Sequence, residues 1–534
     1  MMASNVSRDV SQDQSSVVQT CKPWYAFATV AAGRFVRFAS RVTKHGGSAL
    51  PGKVVEKIDP GFLTRTLGQL PLGVVLVSGT NGKTTTTRMV ASMLSDLGLK
   101  VFTNPTGSNF VRGVVSALLT EVTLGGKLDA DIAVLELDEA YAVHFVKQVK
   151  PRYALLLNVM RDQLDRFGEI DTTAKLLSHV AAATTGTVVL NREDPRIAAL
   201  AAKAPAGTTV RCFGLADDLR HYFPSDDDMA TTVSVEGVAG PLPSVRTPLS
   251  PRSELRGAST GTAELPADVT LTAVGDHKAT FQMDGQGYAT DVKLEGVYNL
   301  YNAAAALAVV RAVAADAQAM FLPFEDALAD SVDADGADTG TETDGNGSHD
   351  AIDQAAADEI LRAAGVSPRM IAFAHATTQA MIDTAGEVTP AFGRGEVITV
   401  NGTPVELLLV KNPMGFRLSL ASFKPEGCDT MICINDEYAD GRDMSWLWDV
   451  DFTSLRGTGV KAVSGVRAWD MALRLEYDQV PVESVSTDLE ESVVNFVNAN
   501  SGTPKHIYCT YTAMLKTRAA LAKIADVADA GVGK

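Results

Sequence analysis

Val74-Val75-Leu76-Val77, followed by Gly79-Thr80-Asn81-Gly82-Lys83-Thr84-Thr85-Thr86-Thr87, is the stretch that decides the fold. The first run is apolar and β-branched, and reads as a buried strand. Met89-Val90-Ala91-Ser92-Met93-Leu94 follows with apolar residues at helical spacing. Strand, glycine-rich turn and helix form the context of a phosphate-binding loop, in which successive backbone N–H groups and a helix N-terminus face an anion. Lys83 is then expected to reach the β- and γ-phosphates of a nucleotide, and the Thr84 hydroxyl to hold magnesium. The strict eight-residue pattern needs a glycine at 77, where Val77 stands, so this is the shorter G-T-N-G-K-T-T form.

The chain continues at βαβ spacing. Lys100-Val101-Phe102-Thr103 reads as a strand, and Asn104-Pro105-Thr106-Gly107-Ser108-Asn109 as a loop at a strand end, where α/β sheets carry function. Asp131-Ile132-Ala133-Val134-Leu135 is a buried strand that delivers Glu136, Asp138 and Glu139. A carboxylate there binds magnesium or caps the next helix, and residue type leaves both open. Strands at Tyr153–Leu157 and Thr187–Asn191 complete a doubly wound parallel sheet in an α/β domain. Residues 213–268, rich in Pro, Ser, Asp and Thr, read as an insertion, followed by antiparallel strands around 269–294 and an alanine-rich helix to about Ala315. Residues 325–359 are acidic, contain no Lys or Arg, and read as disordered; no EF-hand loop fits them. Strands at Val405–Val410, Thr430–Ile434, Val460–Gly465 and Lys505–Cys509 define a second, Rossmann-like α/β domain. The expected division is a tail with an amphipathic helix (1–44), a central domain (45–316) and a C-terminal domain (360–534).

A chain of 534 residues has room for two or three such domains. The net charge of −17 argues against general nucleic-acid binding. Five scattered cysteines without a C-x-x-C pair read as free thiols, no apolar run suggests a membrane span, and the expected location is the cytoplasm. Residues 1–20 read as disordered. From Trp24 to Lys44, aromatic residues alternate with Arg34, Arg37, Arg41 and Lys44. The expectation is an aromatic face packed on the next domain; the alternative is a helix lying on an anionic membrane surface.

The G-T-N-G-K-T-T loop, Glu136, Asn302 and Phe392-Gly393-Arg394 together resemble the ATP-binding central domain of the Mur ligases and its C-terminal partner domain. Within that superfamily the chain is most similar to the MurT family. Leu50–Val54, Arg161–Glu169, Lys411-Asn412-Pro413-Met414-Gly415 and Asp440–Asp449 carry that resemblance. It implies ATP-dependent amidation of the D-glutamate α-carboxylate in the stem peptide of lipid II, at the inner membrane face, through an acyl phosphate. It also implies a heterodimer with a GatD-type glutaminase that supplies ammonia. By the resemblance, Gly79 to Thr85 and Arg394 contact ATP, Asn302 reads the adenine, Thr84 and Glu136 hold Mg2+, and Asp443 orients the glutaminase histidine. On residue type alone Arg394 is equally a surface arginine, Asn302 a helix-start residue and Asp443 a helix cap. Many MurT chains carry a four-cysteine zinc ribbon, but 213–268 has no cysteine and no zinc is expected. Gln163 stands where many Mur ligases have histidine, and Lys175 reads as a solvated helix residue rather than a carbamylated one. The alternatives are a stand-alone Mur-type amino-acid ligase, like folylpolyglutamate or cyanophycin synthetases, and an ATP-hydrolysing regulator.

Overall fold

The computed structural model describes residues 25–42, 49–104, 109–160, 170–222, 265–275, 278–293, 297–335, 358, 361–362, 366–388 and 394–527. The 161–169 motif, most of the 213–268 insertion and the greater part of the acidic segment lie outside them.

In the central domain the elements are α1 (Ala26–Val42), α2 (Ala49–Ile58), α3 (Phe62–Leu67), β1 (Val74–Ser78), α4 (Lys83–Asp96), β2 (Val101–Thr103), α5 (Val111–Glu121), β3 (Ile132–Glu136), α6 (Glu139–Val146), β4 (Tyr153–Leu156), α7 (Ile170–Ala183), β5 (Thr187–Asn191), α8 (Pro195–Ala198), β6 (Thr209–Leu215), β7 (Val269–Gly275), β8 (Lys278–Met283), β9 (Gln286–Asp291), α9 (Val297–Asp335), α10 (Pro368–Ala374) and α11 (Thr378–Glu387). The nine strands run in the order β2-β3-β1-β4-β5-β6-β7-β8-β9. Pairing is parallel through β7 and antiparallel from β7 to β9. β1, β3, β4 and β5 are buried along their whole length, as expected of parallel strands covered on both faces. One face packs on Met89, Met93 and Leu94 of α4 and the alanines of α9; the other packs on Leu118 of α5, Phe145 of α6 and Leu177 of α7. β1 lies between β3 and β4, so the chain switches direction across the sheet at the end of β1. Ligands bind at such a switch point, outside the carboxyl ends of the strands.

Several boundaries differ from the sequence reading: α10 and α11 pack in the core of the central domain, although the C-terminal domain was expected to begin at 360. The compositional change at 213 falls inside β6, which continues to Leu215 and is followed by a short 3-10 turn. α9 does not end near Ala315 but runs on to Asp335, so its backbone enters the acidic segment expected to be disordered. Its Tyr298–Met320 stretch is long and apolar enough to cross a membrane, contrary to expectation, but 67% of that stretch is buried inside the fold. Small alanine side chains let this helix lie close against the sheet, which explains its apolar composition without a bilayer.

The C-terminal domain contains β10 (Arg394–Val400), β11 (Thr403–Leu409), α12 (Pro413–Ser422), β12 (Asp429–Cys433), β13 (Ala462–Ser464), α13 (Ala468–Tyr477), β14 (Val485–Ser486), α14 (Leu489–Asn498), β15 (Lys505–Cys509) and α15 (Tyr511–Leu521). Its sheet order is β10-β11-β15-β12-β13-β14, parallel except for the β10–β11 hairpin. Lys411 therefore follows β11, the 440–449 segment follows β12, and Thr512 follows β15, all at the carboxyl edge of one sheet.

Candidate active site at the phosphate loop

The turn after β1 needs glycine twice. Gly79 has φ +132° and Gly82 has φ +84°, conformations that residues with a side chain rarely adopt. A Cβ on Gly82 would also start 2.6 Å from Asn302 Oδ1. The loop is held by the neighbouring strand end. Asn81 N–H donates to Asn158 Oδ1 at 2.8 Å, Asn158 Nδ2 donates to the Asn81 carbonyl at 3.0 Å, and Thr80 N–H donates to the Asn158 carbonyl at 2.9 Å. Behind it, the buried carboxylate of Asp194 accepts from Val159 N–H at 2.7 Å and caps α8. Burial raises the Asp194 pKa, and its three backbone donors act against that rise.

The three carboxylates at the end of β3 divide into two roles. Glu136 Oε1 accepts from the Thr84 hydroxyl at 3.0 Å. Asp138 and Glu139 lie 3.4 and 3.5 Å from Lys83 Nζ. Asp138 occupies the N-cap position of α6, yet its side chain makes no capping hydrogen bond and faces Lys83 instead. Asn104 fixes the Glu136 backbone from both sides, donating to its carbonyl at 3.0 Å and accepting from its N–H at 2.9 Å. Hydroxyl and carboxylate oxygens at this mouth are the hard donors that Mg2+ prefers, and that ion takes few protein ligands beside water and phosphate. Thr84 and Glu136 therefore fit a magnesium–nucleotide complex; among the described residues no group of three or more His, Cys, Asp or Glu could hold a metal alone.

Asn302 stands against Gly82, buried, and its Nδ2 has no hydrogen-bond partner among the described residues. A buried amide donor without a partner is costly, and a ligand acceptor would relieve it. Thr85 is buried in the first turn of α4. Arg394 begins the edge strand β10, where its backbone pairs with Leu408; its side chain and Phe392-Gly393 lie outside the described residues.

The C-terminal domain reaches the loop through residues to which the sequence reading gave no role. Asn412 and Asn81 exchange amide hydrogen bonds of 2.9 and 3.3 Å, and Asn412 is only 1% exposed. The same Asn412 Oδ1 caps α12 by accepting from Gly415 N–H at 2.8 Å. Lys411 Nζ donates to the Thr80 carbonyl at 3.1 Å, the oxygen that Lys83 Nζ approaches at 3.4 Å. Two ammonium groups, one from each domain, thus converge on the phosphate loop.

Asp443 is held by a different set of contacts. Its segment is anchored by buried Asp440, which accepts from Thr512 N–H at 2.7 Å and the Thr512 hydroxyl at 2.5 Å. Burial raises the Asp440 pKa, against the pull of those bonds. Asp443 itself is exposed and accepts from Ser445 N–H at 2.9 Å, at the first residue of the 3-10 turn Ser445–Asp449, whose N-cap position is held by Met444. Trp448, on that turn, packs edge-on to Tyr477 of α13 at 5.2 Å. Trp469, Leu473 and Tyr477, at helical spacing on α13, are exposed, as are Tyr438 and Trp448.

Family models match both halves of this arrangement: the Mur ligase middle domain over residues 77–238 and the MurT ligase C-terminal domain over 409–514. The chain is 28% identical to the lipid II isoglutaminyl synthase subunit MurT of Streptococcus pneumoniae, across 92% of this chain and 96% of that one. Both family models and this relative point to the MurT branch of the Mur ligase family. A MurT subunit from Staphylococcus aureus is 26% identical across 85% of this chain and 89% of that one. Among solved structures, MurF from Thermotoga maritima in complex with ADP superposes with a TM-score of 0.53 at 15% identity, covering 88% of this chain and 83% of that one. MurF from Acinetobacter baumannii gives 0.55 at 15% identity, covering 87% and 79%. Like these MurT relatives, the protein is an ATP-dependent carbon–nitrogen ligase. The phosphate loop, Glu136 and Asn158 fall inside the middle-domain match, and Lys411, Asn412, Asp440 and Asp443 inside the C-terminal one; Asn302 and Arg394 fall outside both.

Proposed function

We propose that this MurT-type ligase amidates the α-carboxylate of D-glutamate in the lipid II stem peptide, working at the inner face of the membrane with a GatD-type glutaminase subunit. The observation that carries the reading is the pairing of a complete phosphate loop, closed by Lys411 and Asn412, with an exposed Asp443 on the same C-terminal domain.

ATP would lay its β- and γ-phosphates on the loop N–H groups and the N-terminus of α4. Thr84 and Glu136 would hold Mg2+, which neutralises phosphate charge when bound. Lys83, poised beside Asp138 and Glu139, and Lys411, brought from the second domain, are placed to balance charge on the transferred phosphoryl group. A carboxylate oxygen of the substrate attacks the γ-phosphorus and ADP leaves, giving an acyl phosphate. Ammonia attacks the acyl carbon, phosphate departs, and the nitrogen loses a proton to leave the amide. Asn302 offers its unused donor to the adenine, and Arg394 is assigned to the phosphates. Ammonia is released from glutamine in the partner, whose imidazole Asp443 orients; a carboxylate does this by fixing tautomer and charge.

The test is reconstitution with lipid II, ATP, Mg2+ and ammonium salts. Formation of the α-amide with one ADP per product, and a hydroxamate when hydroxylamine replaces ammonia, supports the acyl phosphate route. Joining of an amino acid in place of ammonia would instead identify a stand-alone ligase.

A further inference from the structure

Helix α1 has a seated face and an open one. Ala26, Thr29 and Val30 are buried, and a Cβ on Gly33 would start 2.7 Å from Leu119 Cδ1 and 2.8 Å from Val55 Cγ2. Arg34 locks the helix in place, donating to the carbonyls of Leu119 at 2.8 Å and Val122 at 2.5 Å at the end of α5. The opposite face presents Ala28, Ala31, Phe35 and Phe38, with Phe35 71% and Phe38 66% exposed. The expectation that the aromatic face packs inward is therefore reversed for these two residues: small residues make the close contact and the phenylalanines point out. Leu50, at the start of α2, is exposed as well.

The segment that carries this apolar stripe has charge of one sign in its sequence. Between Tyr25 and Val55 stand Arg34, Arg37, Arg41, Lys44 and Lys53 and no Asp or Glu, in a chain whose net charge is −17. An apolar stripe on a helix of 17 residues whose only charged residues are Arg34, Arg37 and Arg41 is the pattern of a helix lying in the headgroup layer of an anionic bilayer. A protein partner of ordinary composition does not call for so complete an absence of acids.

We propose that α1 is a membrane-lying face that inserts Phe35 and Phe38 at the headgroup boundary of an anionic lipid surface while its Ala26–Gly33 side stays seated on the ligase domain. The inference stands on this helix alone and does not depend on the substrate reading above.

The experiment is co-sedimentation of the full chain with vesicles of phosphatidylglycerol in phosphatidylcholine, free of lipid II, against phosphatidylcholine alone, at low and high salt. The chain is expected to bind the anionic vesicles, to be released by salt, and to lose about 100-fold in affinity in the double variant Phe35→Ser with Phe38→Ser, roughly tenfold for each lost aromatic. An unchanged melting temperature and unchanged ATP-dependent amidation of a lipid-free stem peptide would show that the variant is folded. Three results overturn the proposal: no preference for anionic vesicles, equal binding by the variant, or a wild-type homodimer in sedimentation velocity that the double variant abolishes, which would assign the stripe to a second copy.

Discussion

The phosphate loop and the Asp443 segment both lie at the carboxyl edge of a parallel sheet, yet they are finished to different degrees. At the loop, Asn158, Asn302, Lys83 and the carboxylates of β3 converge from one domain, and Lys411 with Asn412 closes over them from the other. Every described group there is buried or half-buried. The Asp443 segment has a rigid root in Asp440 and Thr512 but an exposed carboxylate, with exposed Trp448 on the turn that follows it. A site complete within one chain encloses its reacting groups; a carboxylate that serves a partner's imidazole must stay accessible until the partner arrives. The contrast is what the proposed supply of ammonia by a partner subunit would require.

Four changes break or sharpen that contrast. The largest effect is expected from Lys83→Ala, which should lower amidation by about 10³-fold with glutamine or ammonium alike, because a charge aimed at the transferring phosphoryl group is lost. A change limited to glutamine would contradict the separation of the two sites. Trp469→Ala, on the exposed face of α13, should weaken glutaminase binding by roughly 30-fold, as removal of a central aromatic anchor does, with ammonium-driven turnover intact. Titration calorimetry with the partner subunit measures it. Lys411→Met should reduce kcat about tenfold with either nitrogen source, since it acts on the loop and not on ammonia supply. Gly82→Ala should cost about 1–2 kcal/mol from the left-handed backbone alone. The crowding against Asn302 adds to that, so denaturant unfolding should show the loss, and bound ATP should restore less stability than in the wild type.

What the sequence disclosed follows from range. The loop is contiguous: two glycines that need positive φ, the lysine and the threonine sit between an apolar strand and a helix, so neighbours along the chain supply the whole pattern. Glu136, the last residue of β3, was one of three strand-end carboxylates whose role residue type left open, and only the resemblance singled it out. The clasp was not legible, because Asn81 and Asn412 are 331 positions apart and a strand-end Lys-Asn-Pro has no local property that aims it at a phosphate loop. Asn104 and Asn158 read as ordinary loop asparagines until their buried two-way bonds are seen. The strands β6, β10 and β14 escaped because β6 has a polar, partly exposed start, β10 is an edge strand and β14 has only two residues. Phe35 and Phe38 misled for a physical reason: aromatic bulk predicts burial, whereas here glycine and alanine allow the closer helix contact.

The most direct measurement compares wild type and Asp443→Asn, each with its glutaminase subunit, in lipid II amidation driven by glutamine and by ammonium. The variant is expected to lose about 10³–10⁴-fold with glutamine, as when a triad carboxylate is neutralised, and to match wild type with ammonium. Equal loss with both nitrogen sources would contradict the account, since Asp443 would then serve the ligase step or the fold rather than the partner's imidazole.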